Sequence, residues 1–270
     1  MVSHAPIFTR APAIIQVDHN SRHCPDHGSY AHQQVEQFDG APRTKGCSRC
    51  QWQALNLADV PSGQRANAQA EAARTLVNER LIRSGVTERF KACTFDSFMA
   101  RSKEQAHALS VCQAYAAEFP ARYQAGQCLL MLGNVGTGKT HLASAVVQQV
   151  IRRHRAQAVI VSASSIFRAA KAAMSRTATF TEENVLAELA GFDLLVVDEV
   201  GASKGSDWEV ALLHEVIDRR YQGVRPTIVI SNLDRQGMQD YIGARAMDRL
   251  RQGGGELIGF TWNSERRTAP

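Results

Sequence analysis

The sequence predicts an α/β protein: a parallel five-stranded sheet between helices, with a small module in front of it. Three observations carry this. A glycine-rich loop, Gly133-Asn134-Val135-Gly136-Thr137-Gly138-Lys139-Thr140, stands between an apolar run and an amphipathic helical pattern. A second apolar run, Leu194-Leu195-Val196-Val197, ends in Asp198-Glu199. Short apolar runs at 128–132, 159–161, 194–197, 227–230 and 257–260 mostly alternate with helical stretches, the signature of a parallel sheet covered on both faces.

Taken in order, residues 1–55 hold most of the histidines, a close pair of cysteines and little helical periodicity. Cys24-Pro25-Asp26-His27 and Cys47-Ser48-Arg49-Cys50 are two pairs with two residues inside each and 19 between them, a spacing that suits tetrahedral Zn²⁺. His23 is an alternative ligand that points the wrong way from that turn. A segment this short buries little apolar surface, so a structural zinc, worth an apparent ~10–16 kcal/mol in finger peptides, would decide whether it folds. Residues 56–93 read as a helical linker, with Ala70, Ala73, Val77 and Leu81 at three- and four-residue steps and a stop at Ser84-Gly85. Residues 94–270 are the expected nucleotide-binding domain. It opens with an extended entry at 94–98 and an alanine-rich helix over 102–118, ended near Pro120.

The loop fits G-x-x-x-x-G-K-[ST] in the required strand-to-helix context. Its glycines let backbone N–H groups turn inward on phosphates, and the following helix adds its N-terminal partial positive charge. Lys139 is expected on the β- and γ-phosphates of ATP, and Thr140 on Mg²⁺. Leu142, Val146, Val147, Val150 and Ile151 form one stripe of that helix. The strand ending at Asp198-Glu199 delivers two carboxylates where open α/β sheets bind ligands. Asp198 is assigned to the magnesium shell and Glu199 to polarising the attacking water. Asn232, after the run at 227–230, either orients that water or the γ-phosphate, or simply begins a turn.

Composition bounds the rest. Hydrophobic residues are 44% and charged residues 21%, and no apolar run approaches the ~20 residues of a membrane span. Met1-Val2-Ser3-His4-Ala5-Pro6 has no secretory pattern, so a reducing cytoplasm is expected, with Cys93, Cys112 and Cys128 as ordinary thiols. A net charge of +5 permits nucleic-acid binding without demonstrating it. The arginine-rich balance suits phosphate forks or reflects a GC-rich genome.

Over residues 94–267 the sequence resembles the DnaC-type helicase loaders of the AAA+ ATPases, with IstB-type transposition ATPases as near relatives. The resemblance is carried by Gly136-Thr137-Gly138-Lys139-Thr140-His141-Leu142-Ala143, by residues 194–201, by Gly243-Ala244-Arg245-Ala246-Met247-Asp248-Arg249-Leu250, and by Phe260-Thr261-Trp262-Asn263-Ser264. It implies a core without a C-terminal lid, consistent with the ten residues after Phe260, and a nucleotide site running from Gly133 through His141. It also implies an arginine finger at Arg249 serving a neighbouring copy, a cis sensor at Arg266, and single-stranded DNA contacts at Lys171, Ser206 and Trp208. Trp208 in a polar stretch either stacks a base or packs into the core. Val135 stands where related loops carry proline, and Met174 where an aromatic makes a better base platform.

The implied function is an ATP-dependent loader that assembles as a homo-oligomer on a replicative hexameric helicase and places it on single-stranded DNA. The alternatives are a transposition regulatory ATPase, and a zinc-containing DNA-binding adaptor that binds ATP without useful hydrolysis.

Overall fold

The structure, a computed structural model, describes residues 14–24, 28–36, 42–45, 62–175 and 178–265. The chain divides into two compact units, Met1–Asn78 and Glu79–Pro270. The first contains an element that the sequence pattern did not reveal, an antiparallel sheet in the order β1 (Ile14–Cys24), β2 (Gly28–Glu36), β3 (Pro42–Lys45). Register shifts between Ile14 and Gln16 and between Asp18 and Ser21 interrupt β1. Such bulges break the period-two alternation by which a half-buried strand is recognised. Helix α1 (Ser62–Ile82) follows.

The second unit is built on five parallel strands: β4 (Leu129–Gly133), β5 (Ala158–Ser162), β6 (Leu194–Val200), β7 (Thr227–Ser231) and β8 (Glu256–Phe260). Their order is β5-β6-β7-β4-β8. Each expected apolar run lies in one of these strands to within a few residues. Residues 129–132, 194–197 and 228–230 are buried aliphatics, as a sheet covered on both faces requires.

The helices are α2 (Lys103–Ala117), α3 (Phe119–Ala125), α4 (Lys139–His154), α5 (Ala163–Ala173), α6 (Glu182–Gly191), α7 (Asp207–Gln222) and α8 (Arg235–Arg251). α2 packs on α4, α5 on α6, and α7 on α8. Ser102 caps α2 through a reciprocal box with Gln105, and the face carrying Ala108, Cys112 and Tyr115 is buried. Pro120 does end that helical run, but it also sits in the first turn of a further helix, α3, where its missing N–H costs nothing.

Arg220, on α7, is 1% exposed. Its guanidinium donates to the carbonyls of Leu189, Phe192 and Pro226 and to Thr227 Oγ1, at 2.6 to 2.9 Å. One buried cation thereby ties the end of α6, the α6–β6 turn and the start of β7 together. Burial lowers its pKa to about 10.

Candidate nucleotide site

The site lies at the C-terminal ends of β4, β7 and β6, which are adjacent in the sheet. Ser231 ends β7 and pairs with Leu132 of β4 on one side and Val200 of β6 on the other. The next residue, Asn232, therefore follows a strand lying between the glycine loop and the acidic pair. Chain order hides this, because β4 and β6 are sequence-distant strands that only the sheet order brings to either side of β7.

The loop has the conformation that its glycines permit. Gly133, Gly136 and Gly138 have φ of 128°, 76° and 92°. A Cβ on Gly133 would come 2.4 Å from Phe260 O, and one on Gly138 2.7 Å from Phe98 Cε2. Lys139 is 5% exposed, and its Nζ donates to Gly133 O (2.8 Å) and Asn134 O (2.5 Å). Thr137 Oγ1 donates to the same Asn134 carbonyl at 2.8 Å. Val135 is 55% exposed. His141 is engaged with the entry segment, its Nε2 2.9 Å from Thr94 O and its ring edge-on to Phe98 at 5.5 Å.

Thr140 Oγ1 donates to Asp198 Oδ2 at 2.9 Å, so the two expected magnesium ligands, one opening α4 and the other near the end of β6, meet. A hydroxyl beside a carboxylate is a hard oxygen donor set that fits Mg²⁺. Burial, the dominant cause, raises the Asp198 carboxyl pKa, against the opposing pull of hydrogen bonds from Thr140 and the Glu199 N–H and of the Lys139 charge. A divalent cation would offset that desolvation.

Glu199 is exposed, with φ of 58°, in the left-handed region that costs an L-residue about 1–2 kcal/mol. Between Val197 and Val200 the β6–β7 register shifts, so the acidic pair sits on a bulge. A bulge re-aims side chains at a strand end, which here separates the carboxylates: Asp198 turns to Thr140 and Glu199 to solvent. Ser231 Oγ donates to Val200 O (2.6 Å) and accepts from Leu233 N–H (3.1 Å), fixing the bulge to the start of the Asn232 segment. Nothing in the sequence pattern singled out this serine.

Lys171, Ser206 and Trp208 also come together, on α5 and at the start of α7. Lys171 Nζ lies 5.3 Å from the centre of the Trp208 ring and 3.1 Å from Glu209 Oε1. Ser206 caps α7 in a reciprocal box with Glu209. Trp208 is only partly buried, and a base stacking there would share the ring with Lys171.

Arg249 is not part of this site. It forms an ion pair with Asp218 and lies 5.5 Å from the centre of the Tyr221 ring. With Tyr221, Arg225, Cys128 and Thr227 it lines a cavity of about 460 Å³ at the N-terminal ends of β4 and β7. Five-residue strands at about 3.3 Å per residue separate that end from the glycine loop by roughly 17 Å. Arg266, His27, Cys47 and Cys50 lie outside the described residues, and Cys24 is the last residue of β1. Among the described residues no cluster of three metal-binding side chains occurs and no helix is long and apolar enough to cross a membrane.

Comparison with known proteins places these features in context. Residues 91–251 match the family described as IstB-like ATP binding protein. The chain is 35% identical over 187 residues to the replicative helicase loader DnaC of Buchnera aphidicola subsp. Acyrthosiphon pisum, covering 69% of this chain and 74% of that protein. It is 32% identical over 184 residues to the loader of the same name from Escherichia coli K12, covering 68% and 73%. In fold it is similar to a crystal structure of the DnaC helicase loader, with a TM-score of 0.57 and 23% identity over 64% of this chain and 99% of that one. It is similar also to the structure of DnaI, with a TM-score of 0.54 and 21% identity over 67% and 94%.

Proposed function

The chain belongs to the family of IstB-like ATP-binding proteins, and we propose that it is an ATP-dependent loader of a replicative hexameric helicase. Its core has the AAA+ P-loop fold. The observation that carries the proposal is a similarity of 35% and 32% to proteins named replicative helicase loaders, spanning about three quarters of each. It is supported by a glycine loop that holds Lys139, with Thr140 and Asp198 meeting beside it.

In ATP hydrolysis water attacks the γ-phosphorus, the bond to the β–γ bridging oxygen breaks, and ADP and phosphate leave; a bound Mg²⁺ would offset the phosphate charge. Lys139 exchanges its two loop carbonyls for phosphate oxygens. Thr140 and Asp198 would hold Mg²⁺, and Glu199, aimed away from them by the bulge, would take the proton of the attacking water. Asn232 orients that water or the γ-phosphate. Arg249, at the far end of its own sheet, reaches the nucleotide of an adjacent copy, and Arg266 acts as the cis sensor. Hydrolysis is slow and serves as a switch between partner-bound states. Lys171, Ser206 and Trp208 contact single-stranded DNA, with stacking on Trp208 worth ~1–3 kcal/mol.

Co-purification with the host's replicative helicase, followed by helicase loading on closed single-stranded circles, tests this. Helicase bound only with ATP and loaded only by the wild-type chain is the expected result. Absence of helicase binding together with preference for duplex DNA would replace the proposal with a transposition ATPase.

We further propose a structural Zn²⁺ on Cys24, His27, Cys47 and Cys50, resting on their spacing alone. Elemental analysis should return about one equivalent per chain in the wild type and almost none in Cys47→Ser/Cys50→Ser. Full zinc in the double variant sinks the assignment.

A further inference from the structure

A loop that turns its N–H groups toward phosphate turns carbonyls away from it, and those carbonyls need donors of their own. In this chain two of the donors come from residues 261–265, which follow β8. Trp262 Nε1 donates to Thr137 O at 3.1 Å, and the Glu265 N–H donates to Gly136 O at 2.9 Å. In the opposite sense, Asn134 Nδ2 donates to Thr261 O (3.0 Å) and Trp262 O (3.1 Å), and its N–H to Phe260 O (2.8 Å).

The far end of this segment is clasped as well. Glu265 Oε1 accepts from Gln105 Nε2 at 2.8 Å, and Glu265 Oε2 pairs with Arg101 Nη1 at 3.3 Å. Gln105 is 2% exposed, and its Oε1 accepts from the N–H groups of Arg101 (2.5 Å) and Ser102 (3.1 Å). The amide at the start of α2 thus makes three hydrogen bonds, and one of them is to a residue 160 positions away.

We propose that residues 261–265 form a strap that presets the phosphate loop for ATP, with Asn134, Trp262 and Glu265 as positioning residues. Lys139 and the Thr137 hydroxyl are the remaining donors to the Asn134 carbonyl. When Lys139 leaves for phosphate, the strap is what keeps the loop from relaxing. The free energy of ordering the loop is then spent on folding, before ATP arrives. The inference rests on the ATP site proposed above.

The test uses the full chain and a fluorescent ATP analogue with Mg²⁺. Trp262→Phe retains an aromatic ring against Phe260, now 4.8 Å away between centroids, but deletes the N–H donor. It should weaken binding about 5- to 10-fold, the value of one hydrogen bond, raising KM with kcat changed less than about twofold. Glu265→Ala should weaken binding similarly, and Glu265→Gln, which still offers an oxygen to Gln105, should recover most of the loss. Wild-type affinity in both Trp262→Phe and Glu265→Ala overturns the strap, as does a fall in kcat at unchanged KM. Absence of ATP binding by the wild type overturns the nucleotide site itself.

Discussion

In the proposed mechanism Lys139 and Glu199 have separate tasks, and their surroundings differ: Lys139 is buried among loop carbonyls, whereas Glu199 is exposed on a bulge with φ of 58°. Lys139→Ala should therefore abolish measurable ATP binding. Glu199→Gln should bind ATP as the wild type does and lose hydrolysis by a factor of about 10²–10⁴, the usual worth of a positioned base. Nucleotide binding measured beside phosphate release checks both, and normal turnover by Glu199→Gln would remove it from the role of base. Asp198 has a third task with a cost, since burial raises its pKa and its charge is held against desolvation. The sign is that of an acid raised on folding: ionised Asp198 destabilises the nucleotide-free chain above its unfolded pKa, and that penalty fades as pH falls through the folded value. Asp198→Asn should accordingly melt at a higher temperature than wild type at neutral pH, with the gap closing in acid, while losing magnesium-dependent ATP binding. A lower melting temperature at neutral pH would show that its hydrogen bonds outweigh the burial.

Elements with a strong local signal were legible, and those without one were not. The strands β4 to β7 announced themselves as apolar runs because both faces are buried, the edge strand β8 by Leu257, Ile258 and Phe260 although it alternates, and α2 as a capped, alanine-rich helix. The helix α6 has an equally good box at Thr181 and Asn184, but ten residues give too short a run for periodicity to stand out. The strands β1 to β3 were invisible for a different reason, since bulged, polar strands carry no alternation. Arg220 shows the limit most sharply. As a lone arginine on a helix it reads as solvent-facing, yet its guanidinium is consumed by backbone carbonyls contributed by the end of α6 and the turns before β6 and β7.

At the scale of the whole molecule, Arg249 suits the proposed finger role only if a second copy of the chain supplies the nucleotide. It stands at the opposite end of the sheet from Lys139, paired with Asp218, so it has no path to its own chain's nucleotide. Mixed oligomers of Arg249→Ala and Lys139→Ala chains should recover part of the ATPase activity that each lacks alone, because each supplies what the other is missing. No recovery at any ratio, with mixed assembly confirmed by mass, removes the shared site. The sequence by itself determined the phosphate loop, the acidic strand end and the parallel α/β core, because each depends on residues close together in the chain. Only the tertiary structure decided that β7 lies between the two motifs, that Glu199 is turned from Asp198 by a bulge, and that Trp262 and Glu265 supply donors to the phosphate loop. Trp262 and Thr137 are 125 positions apart, and such contacts exist only because sheet order and strand register bring distant backbone carbonyls within reach of a donor.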